Sequence, residues 1–195
     1  MNRLALLRSP RVLVPLVLAV ALVLRLVLVA QGGQYYFGDE ERYNRGVTLY
    51  QALAAGDWPQ VRALAALPEH ALFPWLTVAI TAGQHLLAQF TEYGDWSQPA
   101  QVAQTMWLGS ALLALFSVLN LWLVHRLARV AGAGEAAAGW ALLLMAASNT
   151  AFYHARHLLP YECAISAALL ALIVGLRATR PFGAFMGGVL IGAIY

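Results

Sequence analysis

The chain has no lysine, one cysteine and little charge of either sign: only 11% of its 195 residues are Asp, Glu, Lys or Arg. A lone cysteine excludes an internal disulfide and a cysteine-based metal cage. Cys163 stands in an apolar segment, where it reads as a small packing residue. All 12 basic residues are arginines, and they do not form a polybasic run. They stand at the ends of apolar segments, as topology determinants do, so the net charge of +3 is not the footprint of a nucleic-acid binder. No P-loop and no dinucleotide fingerprint is present. What the chain has in abundance is apolar sequence: 61% hydrophobic residues and a mean hydropathy of +0.66. That composition defines an all-α, polytopic membrane protein.

Hydropathy places spans at 12–30, 106–124, 136–153 and 161–176, with a further one starting at 182. The first follows Arg3, Arg8 and Arg11. At about 19 residues it exceeds the roughly 7–15 of a signal-peptide core, so an uncleaved anchor is expected. The last segment runs about 14 residues to Tyr195, some 21 Å of helix against a hydrocarbon core of about 30 Å. The chain is therefore expected to be the N-terminal part of a longer protein, or a truncated product. The segment 71–90 decides the topology. If it crosses, the clusters His125–Arg129 and Arg177–Arg180 lie outside; if it does not, both lie inside with the N-terminal arginines. The positive-inside rule prefers the second arrangement. Pro74, Thr77, Thr81, Gln84 and His85 also make the segment too polar for a lipid-facing span. A re-entrant or interfacial helix on the outer leaflet is expected, within a long outer loop, 31–105, that carries two surface helices.

Asp39-Glu40-Glu41 opens the first of these helices. Asp39 suits the N-cap, the two glutamates suit the first turn, and Tyr43, Val47, Tyr50 and Leu53 follow at helical spacing. Gly56-Asp57 and Trp58-Pro59 end it. Two readings of the triplet stand side by side. One is a cap with dipole-matched acids. The other is a carboxylate at the membrane surface acting as general base.

A second constellation, His154 to Glu162, lies at the same outer level. Pro160 marks a helix start. Arg156, His157 and the free N–H groups of that terminus could hold a lipid-linked phosphate. The alternative is a set of loop residues at the headgroup boundary, with Glu162 pairing Arg156. A divalent metal on His154, His157 and Glu162 is a further alternative. Arg25 lies within the first span, about 8 Å from its outer end. Snorkelling or structural pairing explains it; so would a contact with a donor phosphate.

Taken in order, these pieces resemble the membrane-embedded GT-C glycosyltransferases of the family 39 and 83 type, with protein O-mannosyltransferases and lipid A aminoarabinose transferases as relatives. The resemblance rests on Leu24-Arg25-Leu26, on Tyr35 to Glu40 with Tyr43, and on Leu49 to Gly56. It continues through His70 to Leu76, Val124 to Arg129 with Gly132, and Arg156 to Glu162. Two features depart from the pattern. A double proline is reduced to Leu72-Phe73-Pro74, and Gln104-Thr105 stands where an arginine often enters the second span.

The resemblance implies an inverting sugar transfer from a polyprenyl-phosphate donor on the extracytoplasmic side. It places the base role on Asp39 with Glu40 as its neighbour, and donor contacts on Arg156, His157, Glu162, Tyr43 and Arg25. The implied partners are the lipid-linked sugar, membrane lipids and a glycan, lipid or protein acceptor. The expected location is a bacterial inner membrane, with the N-terminus cytoplasmic. A non-enzymatic alternative is a lipid or solute transporter or an assembly subunit, for which Asn120 and Ser148-Asn149-Thr150 are the polar candidates within spans.

Overall fold

The computed structural model describes residues 10–31, 37–67, 72–90, 103–148, 157–178 and 181–194. All regular structure among the described residues is helical. The helices are α1 (Pro10–Ala30), α2 (Phe37–Ala55), α3 (Trp58–Ala65), α4 (Phe73–Ala88), α5 (Ala103–Val130), α6 (Glu135–Ala146), α7 (Tyr161–Arg177) and α8 (Pro181–Ile194). Two of them, over Val12–Ala30 and Leu108–Val130, are long and apolar enough to cross a membrane.

The bundle is organised around α5. Arg25 of α1 bonds Ser117 of α5, while Ala21 and Leu121 share a buried cluster, so α1 runs antiparallel to α5. Ser166 bonds Asn120, and Leu158, just before α7, lies against Gly109, so α7 runs parallel to α5. A tight turn joins α5 to α6. Gly132 takes φ +90, a conformation that suits a residue without Cβ. Arg129 pairs Glu135 at 3.1 Å and donates to the Ala133 carbonyl at 2.7 Å. Arg126, Arg129 and Arg177 therefore collect at the end of the bundle where α1 begins.

The loop before α5 forms a helical layer on the opposite end. Gly56, at φ +70, stops α2. Asp57 then caps α3 by accepting from the Gln60 amide at 3.1 Å. Arg45 of α2 ties α3 down through the carbonyls of Leu64 and Leu67, at 2.8 and 2.9 Å. Helix α4 packs across α2, with Gly46 directly under Thr77 and Pro74. Tyr43, Val47, Phe73, Ile80, Leu113 and Leu158 form the core between this layer and the bundle.

Several sequence expectations need correction. The helix of the acidic triplet starts at Phe37, so Asp39 lies within its first turn instead of capping it. Helix termini tolerate such a shift because the first N–H groups have no intrahelical acceptor in any case. The loop holds three helices among its described residues where two were expected. The short α3 escaped because eight residues carry too little periodic signal. Helix α5 runs on through His125–Arg129 to Val130 instead of ending at Val124; arginines at a helix C-terminus favour such an extension. The expected continuous span 136–153 is not one helix. Helix α6 ends at Ala146, with the Ala147 amide bonding back to Leu143 and Met145; residues 149–156 lie outside the described ones. Finally, Thr77, Thr81 and Gln84 do not make α4 polar on its outside. All three are fully buried on the face that meets α2.

Candidate functional site

Tyr43 sits one helical turn after Asp39. Its ring is 1% exposed, and its hydroxyl donates to Gln84 Oε1 at 3.0 Å. Burial pushes its phenol up to about 12, against which its hydrogen bonds to Thr81 and Gln84 act weakly. The phenol is thus a neutral positioning group at any physiological pH. Because folding raises this acid above the ordinary value of 10.0, its stabilising share is intact below pH 10 and is lost as pH rises toward about 12. Tyr43→Phe is expected to remove that alkaline component from the unfolding profile. It should also cost about 1–3 kcal/mol by leaving the buried Gln84 amide short of a partner. Thermal unfolding between pH 7 and 11 checks both.

Gly109 is the point where two distant pieces of chain meet. A Cβ there would lie 2.9 Å from Leu158 Cδ2 and 3.1 Å from Tyr43 Cε2. The first-turn neighbour of the acidic triplet and the corner before α7 are therefore in contact over one glycine of α5. The structure brings Tyr43 and the His157–Glu162 segment together. His157 is 2% exposed, buried in the corner instead of standing free at the headgroup boundary. The side chains of Asp39 and Glu40, and residues His154 and Arg156, lie outside the described residues.

Arg25 and Glu162 are placed in a different setting. Arg25 is fully buried, so it does not snorkel. Its Nε donates to Ser117 Oγ at 3.0 Å and its Nη1 to the Ala21 carbonyl at 3.2 Å. Glu162, 3% exposed, accepts from Asn120 Nδ2 and from Ser117, and lies within electrostatic reach of Arg25. Ser166 Oγ donates to Asn120 Oδ1. Three helices thus share one buried chain of polar groups, each partly satisfied by the next. This is the arrangement that lets a charge persist among apolar helices. Ser117 and Ser166 were not read as site residues, and Asn120 only as a polar candidate for the transporter alternative. The available signal was spacing: Ser117 and Asn120 are three apart and Glu162 and Ser166 four apart, each pair on one helix face.

Beside this network runs an apolar groove of about 310 Å³. Its walls are the start of α4 (Leu72, Phe73, Leu76), Phe116 and Leu119 of α5, and α7 from Pro160 to Leu170. Ten residues of α7 make it about 15 Å long. Ser166 and Cys163 are its polar lining. Such a slot suits a hydrocarbon chain. Among the described residues no three His, Cys, Asp or Glu side chains converge to hold a metal ion; His154 of the expected triad lies outside them. Comparison with protein-family models, curated proteins and solved structures returned no match to this chain.

Proposed function

We propose that the chain carries the acceptor-activating part of a membrane glycosyltransferase that uses a polyprenyl-phosphate sugar on the extracytoplasmic side of a bacterial inner membrane. The observation that carries this reading is the junction at Gly109, on which Tyr43 and Leu158 both close within one core cluster. It brings the helix of Asp39 and the corner after Arg156 to the same end of the bundle, next to an apolar groove. A base, a phosphate contact and a lipid slot are the three things the reaction needs in one place.

In the proposed step an acceptor hydroxyl or amine attacks the anomeric carbon. Its proton passes to the Asp39 carboxylate, with Glu40 adjoining. The bond from the anomeric carbon to the phosphate oxygen breaks, and the lipid phosphate leaves with the electron pair. Arg156 stabilises that charge. A single displacement inverts the anomeric centre. The prenyl chain occupies the groove along α7. Tyr43 and His157 shape the wall of the site. Arg25 and Glu162 hold the corner in place through the buried network and do not themselves touch the donor.

The test is Asp39→Asn in membranes supplied with undecaprenyl-phosphate-linked hexoses and 4-amino-4-deoxyarabinose, reading transfer and donor turnover. Loss of a general base lowers the rate by about 10²–10⁴, with folding and donor binding retained. Full turnover by the Asn variant removes Asp39 from the mechanism. A wild-type protein that turns over none of these donors removes the reading itself.

One observation favours a second reading, a solute or ion transporter. The Arg25–Ser117–Asn120–Glu162–Ser166 chain is the kind of buried ionisable pathway that transport proteins use. Glu162→Gln would then abolish uptake into vesicles, with no donor turnover by the wild type.

A further inference from the structure

Helix α4 is inside out. Its polar stripe, Thr77, Thr81 and Gln84, is completely buried. The two threonines bond back to the carbonyls of Phe73 and Thr77, and Gln84 accepts from Tyr43. The opposite face reads Leu72, Trp75, Ala79, Ala82, Leu86 and Phe90, at spacings of three and four, and every one of these residues is exposed. Leu72 is 47% exposed, Leu86 56% and Phe90 79%. A helix that borders water shows the reverse polarity. The one ionisable side chain of α4, His85, is drawn against the Tyr50 ring of α2, centroids 6.2 Å apart.

A second observation locates the same helix. Its first turn supplies Leu72, Phe73 and Leu76 to the groove that follows α7 down to Leu170. That is about 15 Å from the start of α7. Phe73 packs in one core cluster with Leu113 and Leu158, and Leu76 and Cys163 lie against it, so the start of α4 lies level with the first turn of α7 and flanks the groove there.

We propose that α4 is a membrane-embedded helix whose Leu72–Phe90 stripe is bathed in acyl chains, with α2 packed on its opposite, polar face. The occupant of the face is bilayer hydrocarbon. The polarity argues for this: over the helix the stripe's one hydrogen-bonding side chain is the Trp75 indole in the first turn, and an indole with one apolar body and one N–H suits the boundary between headgroups and hydrocarbon. Helix α4 then forms the side of the groove nearest the lipid, and a chain-bearing molecule enters laterally. The assignment is independent of sugar transfer and holds or fails whichever reaction the site performs.

Spin labels test it. In a Cys163→Ser background, single cysteines replace Ala79, Ala82 and Leu86 on the stripe and Gln60 on α3. The full chain is reconstituted in phosphatidylcholine–phosphatidylglycerol vesicles. The stripe labels are expected to collide with oxygen in preference to a nickel chelate, and the Gln60 label to show the opposite preference. Nickel access at the stripe positions would overturn the proposal in favour of a water-facing surface. Protection from both colliders would overturn it in favour of a protein-covered face. If one cysteine variant fails to reconstitute, the remaining two stripe positions carry the same test, because they share the face.

Discussion

Arg25→Leu is expected to cost about 3–5 kcal/mol of stability, the range found when one partner of a buried ion pair is removed. The guanidinium is fully enclosed and attracts Glu162. Its loss leaves a carboxylate among apolar helices with Asn120 and Ser117 as its neutral partners. Magnitude separates this from a simpler account. Side-chain hydrogen bonds between membrane helices average about 0.6 kcal/mol, with a maximum near 1.7. If Arg25 matters only through its bond to Ser117 at 3.0 Å, the cost stays in that lower range. If charge balance matters, Glu162→Gln is comparably damaging and the double variant Arg25→Leu/Glu162→Gln recovers most of the loss. Reversible unfolding in mixed micelles or steric-trapping measurements give all three values. Additive losses in the double variant would show that the two residues act separately.

Gly46→Ala is the second large effect expected. A Cβ at this position would fall onto Thr77, with Thr77 Cγ2 at 2.7 Å and the Pro74 carbonyl at 2.8 Å. These are a β-branched side chain and backbone, neither of which swings aside. Overpacking of this kind costs about 1–3 kcal/mol and sometimes more. Here it pushes α4 off α2. Gly83 on α4 supplies the control, because a Cβ there meets nothing within 4 Å. Gly83→Ala should be neutral or stabilising by up to about 1 kcal/mol, the helix-propensity difference between the two residues. Gly109→Ala is expected to fall between them, since its nearest contact is the far end of Leu158, which can rotate. The order of melting temperatures, Gly83→Ala highest and Gly46→Ala lowest, reads the two-layer packing directly. Equal values for Gly46→Ala and Gly83→Ala would contradict the close approach of α2 and α4. Because α4 walls the groove, Gly46→Ala should also weaken any chain-bearing ligand, whereas Gly83→Ala should not.

What could be read in advance had local causes. Apolar length announced α1 and α5 because a span needs about 20 apolar residues and little else. Gly56 and Pro160 marked a helix end and a helix start because those backbone conformations are set by the residue itself. Helix α2 was legible from Tyr43 and Val47, whose spacing is that of one buried face. The acidic triplet and the corner before α7 stood out as candidates, since charge in so apolar a chain is conspicuous.

The sequence alone therefore determined the helical class, the long apolar stretches and the identity of the charged residues that interrupt them. Tertiary structure decided which way those residues face. Arg25 reads equally well as a snorkelling or a paired residue until Ser117 and Glu162, far along the chain, are seen beside it. Helix α4 carries a polar stripe and an apolar stripe, and periodicity is blind to which of them is inside. That choice is made by the neighbour: Gly46 lets α2 approach Thr77, and Tyr43 reaches Gln84. The physical reason is the same in both cases. A helix's own hydrogen bonds are complete within a few residues, whereas the environment of a side chain is set by whatever chain packs against it.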